Sequence, residues 1–305
     1  MPLTRRQLLI LAAATSAGGV ALWRYGQRRV LAHRAFRDTS ELAEPCGEPL
    51  LRLAALADTG TGGSDQYAVA RALTQYRRQA PFPVALLAGD NIYNNGDIDR
   101  VEETFERPYR PLRQQGVAFR ACLGNHDIRT ANGVPQLHYP GFNMQGRYYT
   151  FRQGPVQVWA LDTNRNANWT AQLDWLEREL QRSSAPWRVV FGHHPIYSSG
   201  HYGVNPELET RLAPLFRRYG VQLYFNGHDH NYERTYPIGG TTYLTCGAGA
   251  DVRSVGRSRW TAHAAERLSF AALEFHADHA LVRGIGTDGN AFDHAVVPRD
   301  ATITR

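Results

Sequence analysis

The sequence predicts an α/β fold whose C-terminal half is rich in strands. From about residue 50, apolar runs of strand type alternate with segments whose apolar residues recur at helical spacing. With 305 residues, of which 43% are hydrophobic and 20% are charged, the chain suits one large globular domain. Five of the apolar runs end in polar side chains, which predicts that these side chains gather at one edge of a sheet.

The alternation begins in the first half of the chain. The first predicted strand is LLRLAALADTG, the first helix is DQYAVARALTQYRRQ, and the second strand is PVALLAGDN. A helix broken near Pro108 is expected in RVEETFERPYRPLRQQ, and a third strand in VAFRACLGNHD. The next two segments, RYYTFRQ and VQVWALDTN, predict a hairpin that turns at Gly154 and Pro155.

The second half continues with longer helices and then with strands. A strong helix is predicted in TAQLDWLERELQRS, followed by the strand WRVVFGHHP, the helix NPELETRLAPLFRRYG and the strand VQLYFNGHDH. The tail, from TTYLTCGAGA to HAVVP, is mostly of strand type. Asn168 stands where the first of these helices begins, so it is expected to cap that helix, although NWT also matches a glycosylation sequon.

The basic charge of the chain is concentrated in its first residues. The formal net charge is +6, but residues 1–37 hold seven arginines and no acidic residue, so the rest of the chain carries about −1. We therefore expect no nucleic-acid partner. Thr4 to Leu9, followed by an apolar stretch, resembles a twin-arginine export signal. This segment predicts a periplasmic or secreted protein, with an uncleaved membrane anchor as the alternative.

The three cysteines do not define a framework. Cys46, Cys122 and Cys246 are too few and too scattered for a zinc knuckle, and at most one disulfide could form among them. The sequence leaves their pairing open, and it leaves the oligomeric state open as well.

The polar residues at the five strand ends predict a metal site. Carboxylate and amide oxygens mixed with imidazoles suit Zn, Mn, Fe or Co better than Ca or Mg. Each motif alone is weak evidence, since a lone Gly-Asp-Asn is more often a turn or a helix cap, and Gly-Asn-His-Asp by itself is a plausible turn. Five such motifs in order, each at a strand end, are much stronger evidence. The residues are Asp58, Asp90, Asn125, His126, His193, His194, His228, Asp229 and His230.

The motifs ADTG, GDNIYNNG, LGNHD, FGHHPIYSSGH and NGHDHNYER resemble those of the calcineurin-like metallophosphoesterases. Within that superfamily they are most similar to the purple acid phosphatases of the small, tartrate-resistant type. The resemblance implies a β-sandwich flanked by helices, with a dinuclear metal site at the carboxyl ends of strands. It also implies that residues 50–297 form one phosphoesterase domain.

The resemblance assigns a role to each motif residue. It implies that Asp58, Tyr93 and His230 bind one metal, that Asn125, His193 and His228 bind the other, and that Asp90 bridges both. Most relatives in the superfamily have a histidine where this chain has Gly60, and they lack the tyrosine. A phenolate ligand at neutral pH requires a strong Lewis acid, so we expect Fe(III) together with a divalent ion, Fe, Zn or Mn.

The resemblance also implies a reaction. Two adjacent ions generate a bound hydroxide, which attacks the phosphorus of a phosphomonoester, either a small molecule or a phosphoprotein. His201 is the expected proton donor to the leaving group, with His126 as its partner, and both face the substrate. His194 is interpreted either as a wall of the pocket or as a structural residue. Two alternatives remain open: a phosphodiesterase or nucleotidase with two divalent ions, and a metal-binding protein without catalysis.

Overall fold

The computed structural model describes residues 47–300. The predicted export segment, residues 1–37, and Cys46 lie outside the described residues. Within them, Cys122 and Cys246 are buried free thiols. No helix among residues 47–300 is long and apolar enough to cross a membrane.

The described part contains thirteen strands and five α-helices. The strands are β1 (Leu51–Leu56), β2 (Val84–Leu87), β3 (Ala118–Ala121), β4 (Tyr149–Gln153), β5 (Val156–Ala160), β6 (Trp187–Phe191), β7 (Leu223–Asn226), β8 (Tyr232–Thr235), β9 (Thr242–Cys246), β10 (Thr261–Ala265), β11 (Ser269–Phe275), β12 (His279–Gly286) and β13 (Ala291–Pro298). The helices are α1 (Ser64–Gln79), α2 (Arg107–Gln114), α3 (Val134–His138), α4 (Trp169–Arg182) and α5 (Pro206–Tyr219).

The strands form two sheets. The first has the order β13-β12-β11-β1-β2-β3, and the second has the order β10-β8-β9-β7-β6-β5-β4. In the first sheet β1, β2 and β3 run parallel. In the second sheet β5, β6, β7 and β9 run parallel. Within each sheet the carboxyl ends of the parallel strands therefore share one edge, which is where ligands bind in α/β folds.

Three apolar clusters show how the layers pack. The central cluster takes side chains from both sheets, such as Leu53 of β1 and Val189 of β6. The outer face of the first sheet is covered by α1 and α2, and the outer face of the second by α4 and α5. Side chains alternate between these clusters along each strand, as the pleat requires. The layers follow the order helix, sheet, sheet, helix, which confirms the predicted sandwich flanked by helices.

The observed elements follow the predicted ones closely. The break near Pro108 is real, because a π-helical turn, Glu102–Glu106, precedes α2, and Pro108 lies in the first turn of α2. β4 and β5 form the predicted hairpin, with Gly154 at a φ of 52°. Asn168 caps α4 by accepting a hydrogen bond from the backbone N–H of Ala171, 3.2 Å away.

Candidate metal centre

The predicted site residues converge between the two sheets. Asp58, Asp90 and Asn125 follow β1, β2 and β3, while His193 and His228 follow β6 and β7. The backbone N–H of His228 donates to Asp58 Oδ2 over 2.8 Å, which joins the end of one sheet to the end of the other. The polar side chains at these strand ends therefore gather in one place, as expected from the strand order.

Three of these residues have unusual backbone conformations. The φ angles of Asp58, Asp90 and His228 are 55°, 52° and 71°, in the left-handed region that costs energy for residues other than glycine. Such conformations persist where the surrounding structure enforces them, and they concentrate at functional sites. Each of the three strands thus turns sharply at the residue that carries the polar side chain.

One group of polar atoms surrounds the hydroxyl of Tyr93. Its Oη donates to Asp58 Oδ1 over 3.0 Å and lies 3.2 Å from His230 Nε2. His230 Nε2 is also 3.4 Å from Asp58 Oδ1. The other ring nitrogen of His230 lies 2.8 Å from Asp251 Oδ2 and donates to it, so in the neutral ring the Nε2 lone pair points at the phenol. We call Asp58, Tyr93 and His230 the Tyr93 cluster.

A second group surrounds the imidazole of His193. Its Nδ1 donates to the carbonyl of Ala88 over 2.9 Å. In the neutral ring, Nε2 then faces another acceptor, Asn125 Oδ1, at 2.9 Å, with His228 Nδ1 at 3.2 Å. Two lone pairs that face each other at this distance fit a cation between them. We call Asn125, His193 and His228 the His193 cluster.

Asp90 lies between the two clusters. Its carboxylate is buried, and Oδ2 is 3.5 Å from His193 Nε2 while Oδ1 accepts the backbone N–H of His126 at 2.9 Å. Ligand atoms of Asp58, Asp90 and His193 all lie within 4.8 Å of one another. Among the described residues, no arginine forms an ion pair with either carboxylate. Imidazoles are thus the side chains near these two buried carboxylates that can carry positive charge, which fits a site for cations, because buried charge needs a partner.

Gly60 explains how Tyr93 reaches its cluster. A Cβ atom at position 60 would overlap the backbone of Asn91 and Ile92. Because Gly60 has none, the loop after β2 packs directly on it, and Tyr93 N donates to the carbonyl of Gly60 over 2.7 Å. A histidine at position 60 and this loop path are incompatible. The Asp-x-Gly motif and the tyrosine are therefore two parts of one arrangement.

The local electrostatics oppose ionisation of the phenol in the absence of a cation. Burial, and then the negative charges of Asp58 and Asp90, raise the pKa of Tyr93 far above its usual value. Burial together with the neighbouring imidazoles lowers the pKa of His228. Burial also raises the pKa of Asp90. A phenolate at Tyr93 thus requires a strong Lewis acid within its cluster.

His126 and His201 lie at the border of the site in different environments. His126 Nδ1 donates to the carbonyl of Asn94 at 2.6 Å, while Nε2 is 3.1 Å from an Arg129 nitrogen and 3.9 Å from Asp90 Oδ2. Both ring nitrogens of His126 therefore have partners already. His201 is exposed, and its ring lies 4.9 Å from that of Tyr202.

Tyr202 is a site residue that the sequence analysis missed. Its ring stacks on the imidazole of His228, with centroids 3.9 Å apart and planes inclined by 21°. It is nevertheless 47% exposed. Tyr202 follows His201 directly, which is the signal that could have drawn attention to it.

Asp127 was also missed, although it stands inside the motif LGNHD. Its buried carboxylate accepts hydrogen bonds from the backbone N–H groups of Asn91, Ile92 and Gly124 and from the side-chain amides of Asn91 and Gln136. It therefore ties the loop after β2 to the loop after β3. Burial and the nearby charge of Asp90 raise the pKa of Asp127 to about 6.

Asp229 and Asp251 support the site from further out. Asp229 is buried and accepts the hydroxyl of Ser198 and the backbone N–H of His201, so it anchors the loop that carries His201. Asp251 orients His230 by accepting a hydrogen bond from its Nδ1. Asp229 lay between two predicted ligands, whereas nothing in the sequence around Asp251 indicated a role.

The comparisons with known proteins agree with this geometry. The family model for the calcineurin-like phosphoesterases matches residues 51–232. The chain therefore belongs to the calcineurin-like phosphoesterase family, as the motifs predicted. The chain is 29% identical to purple acid phosphatase 17 of Arabidopsis thaliana over 232 residues, which cover 64% of this chain and 67% of that protein.

Other relatives have related names. Tartrate-resistant acid phosphatase type 5 of Oryctolagus cuniculus is 29% identical over 241 residues, which cover 66% of this chain and 73% of that one. Acid phosphatase type 7 of Mus musculus is 30% identical over 212 residues, which cover 60% of this chain and only 48% of that one. These matches confirm the predicted enzyme class, a hydrolase of the acid phosphatase type.

Solved structures confirm the fold. The purple acid phosphatase PPD1 from yellow lupin superposes with a TM-score of 0.71 at 20% identity, covering 84% of this chain and 55% of that one. GAP50, the anchor in the inner membrane complex of Plasmodium, also gives a TM-score of 0.71 at 20% identity, with coverages of 82% and 89%. At these identities the likeness concerns the fold alone.

Proposed function

We propose that this protein is an acid phosphatase that hydrolyses phosphomonoesters at a dinuclear centre containing Fe(III) and a divalent ion, Fe, Zn or Mn. The observation that carries the proposal is the pair of clusters. In each cluster, lone pairs of neighbouring side chains face one another at hydrogen-bond distance. A buried carboxylate, Asp90, lies between the clusters.

The ligand assignment follows the two clusters. The Tyr93 cluster would hold Fe(III), since its phenol favours the harder ion, and the His193 cluster would hold the divalent ion, with the Asp90 carboxylate available to both. When bound, such a pair of ions polarises a phosphoryl oxygen and supplies a nucleophilic hydroxide in acid solution. The carbonyl of Ala88 and the carboxylate of Asp251 fix the ring orientations of His193 and His230.

Two histidines serve the substrate. His201 is exposed at the border of the site and held through its backbone by Asp229, so it donates a proton to the leaving group. The ring centroids of His126 and Tyr93 are 4.6 Å apart, and His126 Nε2 accepts from Arg129, so His126 positions the Arg129 guanidinium that would bind the phosphoryl group. The substrate is a small phosphomonoester or a phosphoprotein.

Metal analysis and a visible spectrum test the proposal most directly. We expect two metal ions per chain, one of them iron, and an absorption band from the bond between the tyrosinate and Fe(III). Tyr93→Phe removes this band. The control is Tyr149→Phe, which changes a buried tyrosine whose hydroxyl donates to the carbonyl of Ala121, away from the site. A colourless wild-type protein with two divalent ions would support the alternative.

Activity separates the remaining alternatives. We expect hydrolysis of p-nitrophenyl phosphate between about pH 4 and 7, because two adjacent cations would lower the pKa of water at the site. Preference for bis-p-nitrophenyl phosphate would indicate a phosphodiesterase. If the protein carries both ions and hydrolyses neither ester, it is a metal-binding protein without this catalysis.

We also propose that the protein is exported. The paired arginines Arg5 and Arg6 direct the folded protein across a membrane, to the periplasm or the outside. Replacing both by lysine is expected to leave the protein in the cytoplasm of the producing cell, as measured by fractionation and immunoblotting. Unchanged export of the double variant would contradict this part of the proposal.

A further inference from the structure

Thr163 has three polar neighbours in the GHHP motif. Its Oγ1 lies 3.1 Å from His193 N, 3.0 Å from His194 N and 2.9 Å from His194 Nδ1. A hydroxyl group has two lone pairs and one hydrogen. The two backbone N–H groups can only donate, so they use both lone pairs. The hydroxyl hydrogen is then donated to Nδ1, which must be an unprotonated acceptor.

This count of hydrogen bonds determines the tautomer of His194. A neutral imidazole whose Nδ1 is unprotonated carries its hydrogen on Nε2. An imidazolium is incompatible with the arrangement, because its Nδ1–H would be a third donor to Thr163 Oγ1. Nε2 of His194 has no hydrogen-bond partner among residues 47–300. It is therefore an N–H donor with nothing to donate to within the described protein.

The ring of His194 lies against the His193 cluster. Its centroid is 4.9 Å from that of His193 and 4.5 Å from that of His228. One nitrogen from each of the three rings lies within 4.8 Å of the others, which by distance alone would suit a metal site of three histidines. The tautomer argues against that interpretation, since a metal at Nε2 would move the hydrogen to Nδ1 and leave Thr163 with three donors for two lone pairs.

Two neighbouring residues maintain the position of Thr163. A Cβ atom at Gly192 would lie 2.5 Å from Thr163 Cγ2, so only glycine leaves room for the threonine. The hydroxyl of Tyr224 donates to the carbonyl of His194 over 2.8 Å and fixes its peptide. The glycine of the GHHP motif thus has a specific purpose, which is to admit the residue that orients His194.

We propose that His194 is a hydrogen-bond donor that binds a phosphoryl oxygen beside the His193 cluster through its Nε2–H. The inference rests on the proposed function, because it requires a phosphate group at this position. A donor held in place before the substrate arrives stabilises negative charge without reorganisation. His194 thus keeps its proton, whereas His201 gives one to the leaving group.

The tautomer of His194 can be measured by NMR, without an assay of enzyme activity. In zinc-loaded protein with ¹⁵N-labelled histidine, long-range ¹H–¹⁵N spectra should show His194 as the Nε2–H tautomer at pH 6, with assignment by comparison with His194→Gln. Thr163→Val removes the hydroxyl donor, so the spectrum of His194 should change. Thr163→Ser should keep the wild-type pattern, and Thr150→Val on β4 is the matched control. A hydrogen on Nδ1 in the wild type would overturn the inference.

Phosphate binding provides the second measurement. We expect His194→Leu to weaken binding of inorganic phosphate by about tenfold or more, the usual effect of losing a hydrogen bond to a charged group. His194→Gln, whose amide nitrogen can take the place of Nε2, should recover most of the affinity. Both variants should retain two metals per chain.

The outcomes separate this inference from the proposed function. Loss of one metal from His194→Leu would show that His194 is a ligand, and phosphate affinity equal to the wild type would show that it is not a donor. Either result overturns the inference without contradicting the proposed function of the wild-type protein. Wild-type protein that binds no phosphate and hydrolyses no ester overturns the proposed function, whatever the tautomer of His194.

Discussion

The hydroxyl of Tyr93 donates a hydrogen bond to Asp58 over 3.0 Å, although the two residues follow different strands. The contact depends on the loop after β2, which crosses directly over Gly60 and is held from the other side by Asp127. The geometry of the Tyr93 cluster is thus controlled by residues that are not expected to touch a metal.

Gly60→Ala should displace the loop that carries Tyr93. The added methyl overlaps the backbone of Asn91, which cannot move without moving its neighbours. We expect loss of the tyrosinate absorption and a destabilisation of about 1–3 kcal/mol, the usual range for overpacking. Gly63→Ala is the control, since its Cβ would meet only the Thr61 side chain at 3.4 Å. An unchanged spectrum in Gly60→Ala would contradict the prediction.

Asp127→Asn should loosen both loops that carry ligands. Every group that contacts the carboxylate is a donor, so the amide of an asparagine would face other N–H groups. We expect a loss of about 2–4 kcal/mol in the free energy of unfolding, measured by urea denaturation, because buried donors lose their acceptor. Asp174→Asn, on the exposed face of α4, should change stability by less than about 0.5 kcal/mol. Equal effects of the two substitutions would refute the assigned role.

Asp251→Asn should lower the affinity of the Tyr93 cluster for its metal ion. The carboxylate accepts from His230 Nδ1 at 2.8 Å and fixes the tautomer that presents Nε2. Loss of such an outer partner commonly costs about 10–100-fold in metal affinity. Iron retention during dialysis against a chelator measures the effect, with Asp288→Asn, on the turn between β12 and β13, as control. Retention equal to the wild type would show that Asp251 is dispensable.

Tyr202→Ala should expose the imidazole of His228 to solvent and to competing ligands. The stacked ring covers one face of that imidazole at 3.9 Å. We expect faster chelator removal of the divalent ion, by about tenfold, and little change in iron. Tyr202→Phe keeps the ring and should behave as the wild type. Selective loss of iron instead would indicate that Tyr202 acts elsewhere.

Protonation of Asp293 should make the protein less stable in strong acid. Burial raises the pKa of its carboxyl, but the Arg234 guanidinium, the Tyr232 hydroxyl and His263 outweigh burial, so the pKa is lowered. A lowered pKa contributes stability that is present above the unfolded value, near 3.8, and is lost as the pH falls through the folded value. Asp293→Asn should therefore cost about 3–5 kcal/mol at pH 6.

The pH dependence provides the check on Asp293. The difference in unfolding free energy between the wild type and Asp293→Asn should shrink as the pH falls below 3.8, since the wild type loses the same interaction by protonation. Denaturation by urea at pH 6 and at pH 3 measures both values. A difference that stays constant across this range would contradict the assignment of acid sensitivity to this group.

Features with a local signal could be predicted from the sequence. Strand ends such as Asp90 and His193 could be located because an apolar run ends and a polar motif begins there. Asp251 was missed because a residue that contacts His230 through space has no fixed spacing from it along the chain. Thr163 was missed for the same reason: its partners lie 30 and 31 residues further on.

By itself, the sequence determined the α/β class, the strand ends and the identity of the polar residues, because hydrophobic periodicity and turn chemistry act over a few residues. Only the tertiary structure decided that Gly60 makes room for the loop of Tyr93, that Tyr202 stacks on His228, and which nitrogen of His194 carries its hydrogen. These features depend on excluded volume and on hydrogen bonds between distant segments, and they arise only when the two sheets pack together.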